Sequence, residues 1–223
     1  MKFSLPCPRP RQGPVGALLL SALVLLAGCA GGLFPKPPSA PQRFTLDDAA
    51  LMVVPPPAAS TSVLGTPTLL IAPPRAAAGY DSTRMLYLRQ SRQLEAFAFH
   101  EWVDTPAQML APLLLRSLQA SGAFRAVLVG PTAASSNWRL ETELVRLQQD
   151  FTRQPSRVRL SLRAVLVDSA TRQVIAWRDF DESVVAASED ATGGAAAAQQ
   201  AAQRVLAALA AFCAGQVPYA VLH

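Results

Sequence analysis

The sequence predicts an α+β fold, a single domain in which a mainly antiparallel sheet carries two helices packed on one face. Two long segments, residues 138–144 and 157–166, alternate apolar and polar side chains, which is the pattern of strands with one buried face. Two other segments, one after Thr105 and one ending near Cys213, repeat apolar residues at helical spacing. The order strands, helix, strands, helix favours this fold class.

The first strands are expected to follow a proline-rich region. "RFTL" (residues 43–46) predicts a short edge strand, and "TLLIA", which begins at Thr68 and stops at Pro73, predicts a buried strand. "TRMLYLRQ" (83–90) and "QLEAFAFHEW" (93–102) are separated by two residues, so they predict a hairpin or two neighbouring strands. The folded domain is therefore expected to span residues 67–223.

The first helix has start and stop signals. Thr105 can cap it, Pro106 suits the first helical position, and Gln108 completes a capping-box pattern. Gly122 predicts the end of the helix, and Pro112 predicts a kink within it. The apolar face consists of Leu110, Leu113, Leu114 and Leu118.

Three further strands and the second helix complete the predicted domain. "FRAVLVG" (124–130) is a strand, and "QVIAWRDFDESVV" (173–185) is expected to pair antiparallel with segment 157–166 across a turn at residues 168–172. The alanine-rich segment after "EDATGG" predicts a helix that ends near Cys213. Its apolar stripe comprises Ala198, Ala202, Val205, Leu209 and Phe212.

The first 28 residues have the order of a secretory signal peptide. Lys2, Arg9 and Arg11 precede an apolar run from Val15 to Ala27, which is shorter than the roughly 20 residues of a spanning helix. "LAGC" (26–29) resembles the bacterial lipobox. That resemblance implies cleavage before Cys29 and attachment of acyl chains, such as palmitate, at this cysteine.

Residues 29–66 are expected to be a lipidated N-terminus and a linker. Seven prolines fall between Ala30 and Thr66, and only seven more follow Pro67 in the much longer remainder. Two or more acyl chains give stable attachment to a bilayer. Ala30, rather than aspartate, follows the cysteine. In the lipoproteins that this chain resembles, a residue other than aspartate at this position favours location at the periplasmic face of the outer membrane.

Charge and cysteine content exclude other classes of function. The leader holds three of the 20 basic residues, so 17 remain against 15 acidic residues and the formal charge falls from +5 to +2. This near balance argues against a nucleic-acid partner. Cys7 leaves with the leader, and Cys213 then becomes the sole remaining thiol besides Cys29, with the apolar surroundings of a buried small residue.

The sequence contains no recognisable catalytic constellation. His100-Glu101 begins like the zinc-protease motif H-E-x-x-H, but Asp104 occupies the position of the second histidine. His223 is the other histidine and ends the sequence given. Motifs for a nucleophile elbow, a P-loop and a dinucleotide site are all missing. The chain is therefore predicted to be no enzyme and to use no metal or cofactor.

Two features have two interpretations each. Arg157, Arg159 and Arg163 could contact lipid headgroups or an acidic partner, or could form a charge ladder on a solvated face. The ladder is favoured, with partners on the neighbouring strands: Glu141, Glu143, Asp179 and Asp181. Trp102 could anchor an interface or close the core, and the core interpretation is favoured.

Beyond the lipobox, the chain resembles the auxiliary lipoproteins of Mce-type ABC lipid transporters, the group that includes paraquat-inducible protein C. The resemblance rests on "CAGG", on "RFTL", on "GYDSTRMLYLRQSRQLEAFAFHEWVDTPAQML" before "LLRSLQASGAF", and on the later segments "WRLETELVRLQQDF" and "RVRLSLRAVLVDSATRQVIAWRDF". Trp102, Asp104 and Pro106 are its most specific residues. A common form of the pattern has Trp-Ala-Glu-Pro-Leu where this chain has "WVDTP" (102–106), and this departure leaves the subfamily and its lipid open.

The resemblance implies a tethered, non-catalytic adaptor. Its partners would be an Mce-domain protein and the ABC permease and ATPase, besides the bilayer that holds its acyl chains. Self-association into a ring is left open, and so is an alternative role as a structural envelope lipoprotein that assists another outer-membrane complex. The expected docking residues are Tyr80, Arg84, Tyr87 and Trp102, because aromatic residues and arginine are enriched in interface hot spots.

Overall fold

The computed structural model describes residues 40–46 and 66–217. The chain divides into a unit that ends at Ala40 and a unit that begins at Pro41, and the second unit contains almost all of this described part. The described residues do not include the predicted signal peptide, the lipobox with Cys29 or most of the linker.

Nine strands and two helices follow one another in the described part of the chain. In order they are β1 (Gln42–Phe44), β2 (Thr68–Ile71), β3 (Arg75–Ala76), β4 (Arg84–Gln90), β5 (Gln93–Trp102), α1 (Pro106–Ala120), β6 (Ala126–Val129), β7 (Trp138–Asp150), β8 (Arg157–Asp168), β9 (Val174–Val185) and α2 (Ala191–Ala214). The predicted short strand at "RFTL" is confirmed as β1, which begins one residue earlier.

Strand β7 organises the sheet. Along one side it pairs with β8 in an antiparallel ladder from Trp138 to Asp150, and β9 pairs antiparallel with β8. Its other side pairs in turn with β2, β3 and β4, all parallel and all short. Beyond these, β5 is antiparallel to β4. Strand β6 is parallel to β2, and β1 is parallel to β5. The long ladders are antiparallel, which confirms the predicted fold class.

The core lies between the sheet and the two helices. Helix α2 contacts β8 and β9, and α1 contacts β3, β6, β7 and α2. The predicted alternation in β8 is confirmed, because its even-numbered apolar side chains are buried: Val158, Leu160, Leu162, Ala164 and Leu166. The hydroxyl of Ser117 donates to the carbonyl oxygen of Leu206 at 3.0 Å, which joins the two helices directly.

Helix α1 begins and ends where the sequence predicts, but the predicted capping box is wrong. Thr105 is the N-cap residue in extended conformation, and its side chain makes no capping hydrogen bond. Instead, the backbone N–H of Thr105 donates to Asp104 Oδ1 at 2.6 Å. Gly122 has φ +64°, so it ends the helix in the left-handed region that glycine favours. The helix continues through Pro112, and the kink stays a prediction.

Helix α2 begins earlier than the sequence suggests, because Asp190 caps it. The N–H of Gly193 donates to Asp190 Oδ1 at 2.8 Å, and this bond lowers the pKa of the Asp190 carboxyl. Gly193 and Gly194 therefore lie inside the helix instead of before it. A Cβ on Gly193 would approach the Ser188 carbonyl oxygen to 2.3 Å, and one on Gly194 would approach Gln149 Oε1 to 2.1 Å. The helix start is thus in close contact with the preceding loop and the sheet.

Candidate interaction surfaces

Tyr87 belongs to an aromatic cluster at the β4–β5 end of the sheet. Its ring lies 4.6 Å from Phe97 and 5.8 Å from Phe151, centroid to centroid. Its hydroxyl donates to Glu95 Oε2 at 2.7 Å, and this hydrogen bond raises the pKa of Tyr87. The ring is mostly buried, so this predicted docking residue holds the hairpin together.

Trp102 and Tyr80 are also engaged within the domain. Trp102 is 4 % exposed and packs in the core, which confirms the favoured interpretation of this residue. Its backbone N–H donates to the carbonyl oxygen of Thr83 at 2.7 Å. Tyr80 is half-buried, and its hydroxyl donates to Gln148 Oε1 at 2.5 Å. Of the four predicted docking residues, Arg84 alone is exposed.

An exposed patch adjoins Arg84. The register places Arg84 opposite Glu101 on β5, and Glu101 opposite Arg43 on β1. Phe99 is 58 % exposed and Val103 is 50 % exposed on either side of Glu101 in sequence. This surface, defined by Arg43, Arg84, Phe99, Glu101 and Val103, combines arginine and apolar residues, which are the residue types of protein interfaces.

Sequence reasoning missed Phe99 because of an irregularity in β5. Leu86 pairs with Ala96, whereas Arg84, two residues earlier on β4, pairs with Glu101. The extra residues on β5 form a bulge, which re-aims side chains relative to simple alternation. Phe97 turns toward Tyr87 and His100, while Phe99 faces solvent. The wide mismatch between the lengths of the two strands is the signal that could have indicated it.

The face of the sheet that points away from the helices carries the predicted charge ladder. Arg159 pairs with Asp181, and Arg163 pairs with Asp179 at 2.8 Å and with Glu143 at 3.7 Å. The hydrogen bond from Arg159 lowers the pKa of Asp181. These arginines are therefore neutralised by neighbours on the same sheet, which supports the ladder over a headgroup site.

Two members of the ladder differ from the prediction. Glu141 pairs with Arg139 on its own strand at 3.1 Å and with Arg75 at 3.8 Å, not with the arginine row on β8. Arg157 donates to the hydroxyl of Ser183 at 3.0 Å instead of to a carboxylate. Position 165 of β8, which faces Glu141, is a valine, so Glu141 has no arginine directly across it on β8. Arg157 faces Val185 on β9 and Asp150 on β7.

His100 and Cys213 have defined surroundings in the described part of the chain. Within residues 40–46 and 66–217, no group of three or more histidine, cysteine or acidic residues could hold a metal ion. His100 packs against the rings of Phe44 and Phe97 at 6.0 and 5.8 Å. Burial raises the pKa of the Cys213 thiol to about 12, so it stays protonated and unreactive at neutral pH.

A small apolar pocket opens behind Trp102. The space open to a water molecule is about 10 Å³, and the pocket is lined mainly by Met85, Phe97, Leu147, Val158 and Ala198. Ligand pockets usually span roughly 300–1,000 Å³. A pocket of this size has room for about one water molecule.

A match to a protein-family model identifies the family of this chain. The profile of the ABC-type transport auxiliary lipoprotein component matches residues 44–210, about three quarters of the chain. The chain belongs to this family. The match begins in β1 and ends within α2, so the sheet and both helices described above are the family's domain.

Solved structures share this fold. Protein XCC0632 from Xanthomonas campestris, of the DUF330 family, is 24 % identical, and the match covers 80 % of this chain and 96 % of that one with a TM-score of 0.66. The hypothetical protein CT253 from Chlamydia trachomatis is 12 % identical, with 69 % and 98 % covered and a TM-score of 0.50. No curated protein sequence matches this chain significantly. In the described part of the chain, neither helix is long and apolar enough to span a bilayer.

Proposed function

We propose that the protein is an accessory lipoprotein of an Mce-type ABC lipid transport system, anchored at the periplasmic face of the outer membrane and acting without catalysis. The observation that carries the proposal is the family match over residues 44–210 in a chain whose residues 26–29 resemble a lipobox. Residues 1–28 act as the signal peptide, residues 29–66 as the lipidated N-terminus and linker, which also contributes β1 to the sheet, and residues 67–223 as the adaptor domain.

The paired charges, the buried thiol and the exposed contact patch of the described residues support the role of an adaptor. The charged face of the sheet is internally paired, and the one thiol among residues 40–46 and 66–217 is buried. An adaptor needs instead a rigid domain with an exposed contact surface. The patch of Arg43, Arg84, Phe99, Glu101 and Val103 provides such a surface, and it includes Arg84, one of the four predicted docking residues.

In this proposal the four predicted docking residues have two roles. Arg84 and the half-buried Tyr80 contact the Mce-domain protein, while Tyr87 and Trp102 hold β4 and β5 in the shape that presents them. Trp102 supports the contact from the core side. The ABC permease and ATPase are reached through the Mce-domain protein.

The test is affinity purification of the tagged full chain from detergent-solubilised envelope. Co-purification of an Mce-domain protein with its permease and ATPase is expected, and an Arg84→Glu variant should recover several-fold less of them. Arg153→Glu makes the same charge change on the exposed loop between β7 and β8 and should recover the parent amount. Recovery of no transport subunit by the parent chain under mild conditions would refute the proposal.

A further inference from the structure

Strand β9 is a long free edge of the sheet. Within residues 40–46 and 66–217 this 12-residue strand pairs with β8 alone. Four of the eight large apolar side chains exposed in that part of the chain lie on it: Val174, Ile175, Trp177 and Val185. Trp177 is the most exposed of the eight at 64 %. An unpaired strand edge with apolar side chains is a template for another strand.

The backbone groups that β9 offers can be identified from the ladder. The N–H of Ala186 donates to the carbonyl oxygen of Ser156 at 2.9 Å, and hydrogen-bonded pairs alternate along an antiparallel ladder. Even-numbered residues of β9 therefore bond to β8, while odd-numbered residues direct their N–H and C=O groups outward. A bulge at Ile175 interrupts the pattern. The free groups consequently run from Trp177 to Val185 and are centred on Asp181.

We propose that two copies of the chain associate through β9, antiparallel, about a two-fold axis at Asp181. All five outward-directed residues then pair: Trp177 lies opposite Val185 of the second copy, Asp179 lies opposite Ser183, and Asp181 lies opposite itself. Each of the first two pairs occurs twice, as a two-fold interface requires. The result is one sheet that continues across both copies.

The side chains fit this register. Trp177 and Val185 are 64 % and 44 % exposed, and each covers the other across the axis. The hydroxyl of Ser183 can donate to Asp179. On the helix side of the sheet, Arg178 lies diagonal to Glu182 of the second copy, at a distance that long side chains bridge. This opposite charge, repeated by symmetry, gives the contact electrostatic complementarity.

The charge of Asp181 at the axis is compensated within each copy. Arg159 pairs with this carboxylate, and the hydroxyl of Ser161 donates to it at 2.8 Å. Moving the axis by one residue, to Phe180, would be worse, because Asp179 would face Asp181 twice. That shift would also place Val185 opposite the bulge at Ile175. The Asp181 register is therefore the one that the structure favours.

A single cysteine reports this register. Hydrogen-bonded antiparallel partners have Cα atoms about 5.5 Å apart, which suits a disulfide. In the full chain, Asp181→Cys should form a disulfide-linked dimer under mild oxidation. Asp179→Cys is the matched control, because it too removes an aspartate that is paired with an arginine. In the proposed dimer the two cysteines at position 179 would lie about 14 Å apart along the strands, too far for a disulfide. The unsubstituted chain controls for its own cysteines.

Sedimentation of the unsubstituted full chain in detergent tests association without cysteines. A reversible dimer is expected, and Trp177→Asp should raise its dissociation constant at least about ten-fold, whereas Leu94→Asp, at an exposed residue of β5, should leave it unchanged. Dimer yield from Asp181→Cys no greater than from Asp179→Cys would overturn the register. A chain that stays monomeric at all concentrations, or a Trp177→Asp variant as dimeric as the parent, would overturn the proposal.

Discussion

Gly193, in the first turn of α2, is where helix propensity and packing make opposite predictions. Replacing glycine by alanine inside a helix ordinarily stabilises it by about 1 kcal/mol. Here, however, the added Cβ would lie 2.3 Å from the carbonyl oxygen and 2.5 Å from the backbone nitrogen of Ser188. Ordinary contact begins near 3.4 Å, and backbone cannot rotate away as a side chain can. The loop before α2 would have to retreat by about 1 Å.

The cost of this retreat is expected to exceed the gain in helix propensity. Overpacking a well-packed site costs about 1–3 kcal/mol. The upper end applies, because Ser188 also donates to Asp190 Oδ1 at 2.7 Å, the atom that caps the helix through Gly193. A cost of about 3 kcal/mol against a gain of about 1 leaves a net loss of about 2 kcal/mol. For a domain of this size, Tm should fall by about 4–8 °C.

Thermal unfolding of Gly193→Ala, followed by circular dichroism, measures this loss. Gly215→Ala is the control at the other end of α2, where a Cβ would lie 3.4 Å from the nearest atom, the Ala211 carbonyl oxygen, and φ is −67°. Its Tm should equal or exceed that of the parent. A Gly193→Ala variant that melts at or above the parent temperature would refute the argument from close packing.

Three further predictions concern groups with defined partners. Thr105→Ala should cost less than about 0.5 kcal/mol in urea unfolding, against the usual 1 for a threonine cap, because the Thr105 side chain makes no capping bond; a loss near 1 would contradict this. Cys213 should not react with a thiol reagent at pH 8 until denaturant is added, since burial raises its pKa to about 12; this is measured on a Cys7→Ser, Cys29→Ser chain, and prompt reaction would contradict it. The pKa of Asp181 is lowered by Arg159, so its contribution to stability is present above the ordinary aspartate pKa and is lost as pH falls through the lower folded value. Asp181→Asn should therefore flatten the dependence of stability on pH below about pH 4, and an unchanged slope would refute that role.

The alternation of β7 and β8 made the centre of the fold predictable, because burial of one face imposes a period of two on the sequence. The leucine face of α1 and its end at Gly122 were predictable for similarly local reasons. The parallel pairing of β2, β3 and β4 along one side of β7 was not, since it depends on contacts between distant segments that no local pattern encodes.

The candidate surfaces were predictable only in part. Residue type suggested Tyr87 and Trp102 as contacts, yet both rings fill the interior, because aromatic side chains serve cores as readily as interfaces. Phe99 became exposed through the bulge in β5, and Trp177 through the position of β9 at the sheet edge. Both exposures follow from strand pairing, which periodicity alone does not determine.

Mass spectrometry of the mature N-terminus, on protein isolated from bacterial envelope, tests whether the chain is a lipid-anchored lipoprotein. We expect an N-terminal peptide that begins at Cys29 and carries acyl chains, and a Cys29→Ser variant that is released from the membrane fraction. An unmodified Cys29 in protein recovered apart from the envelope would contradict this expectation.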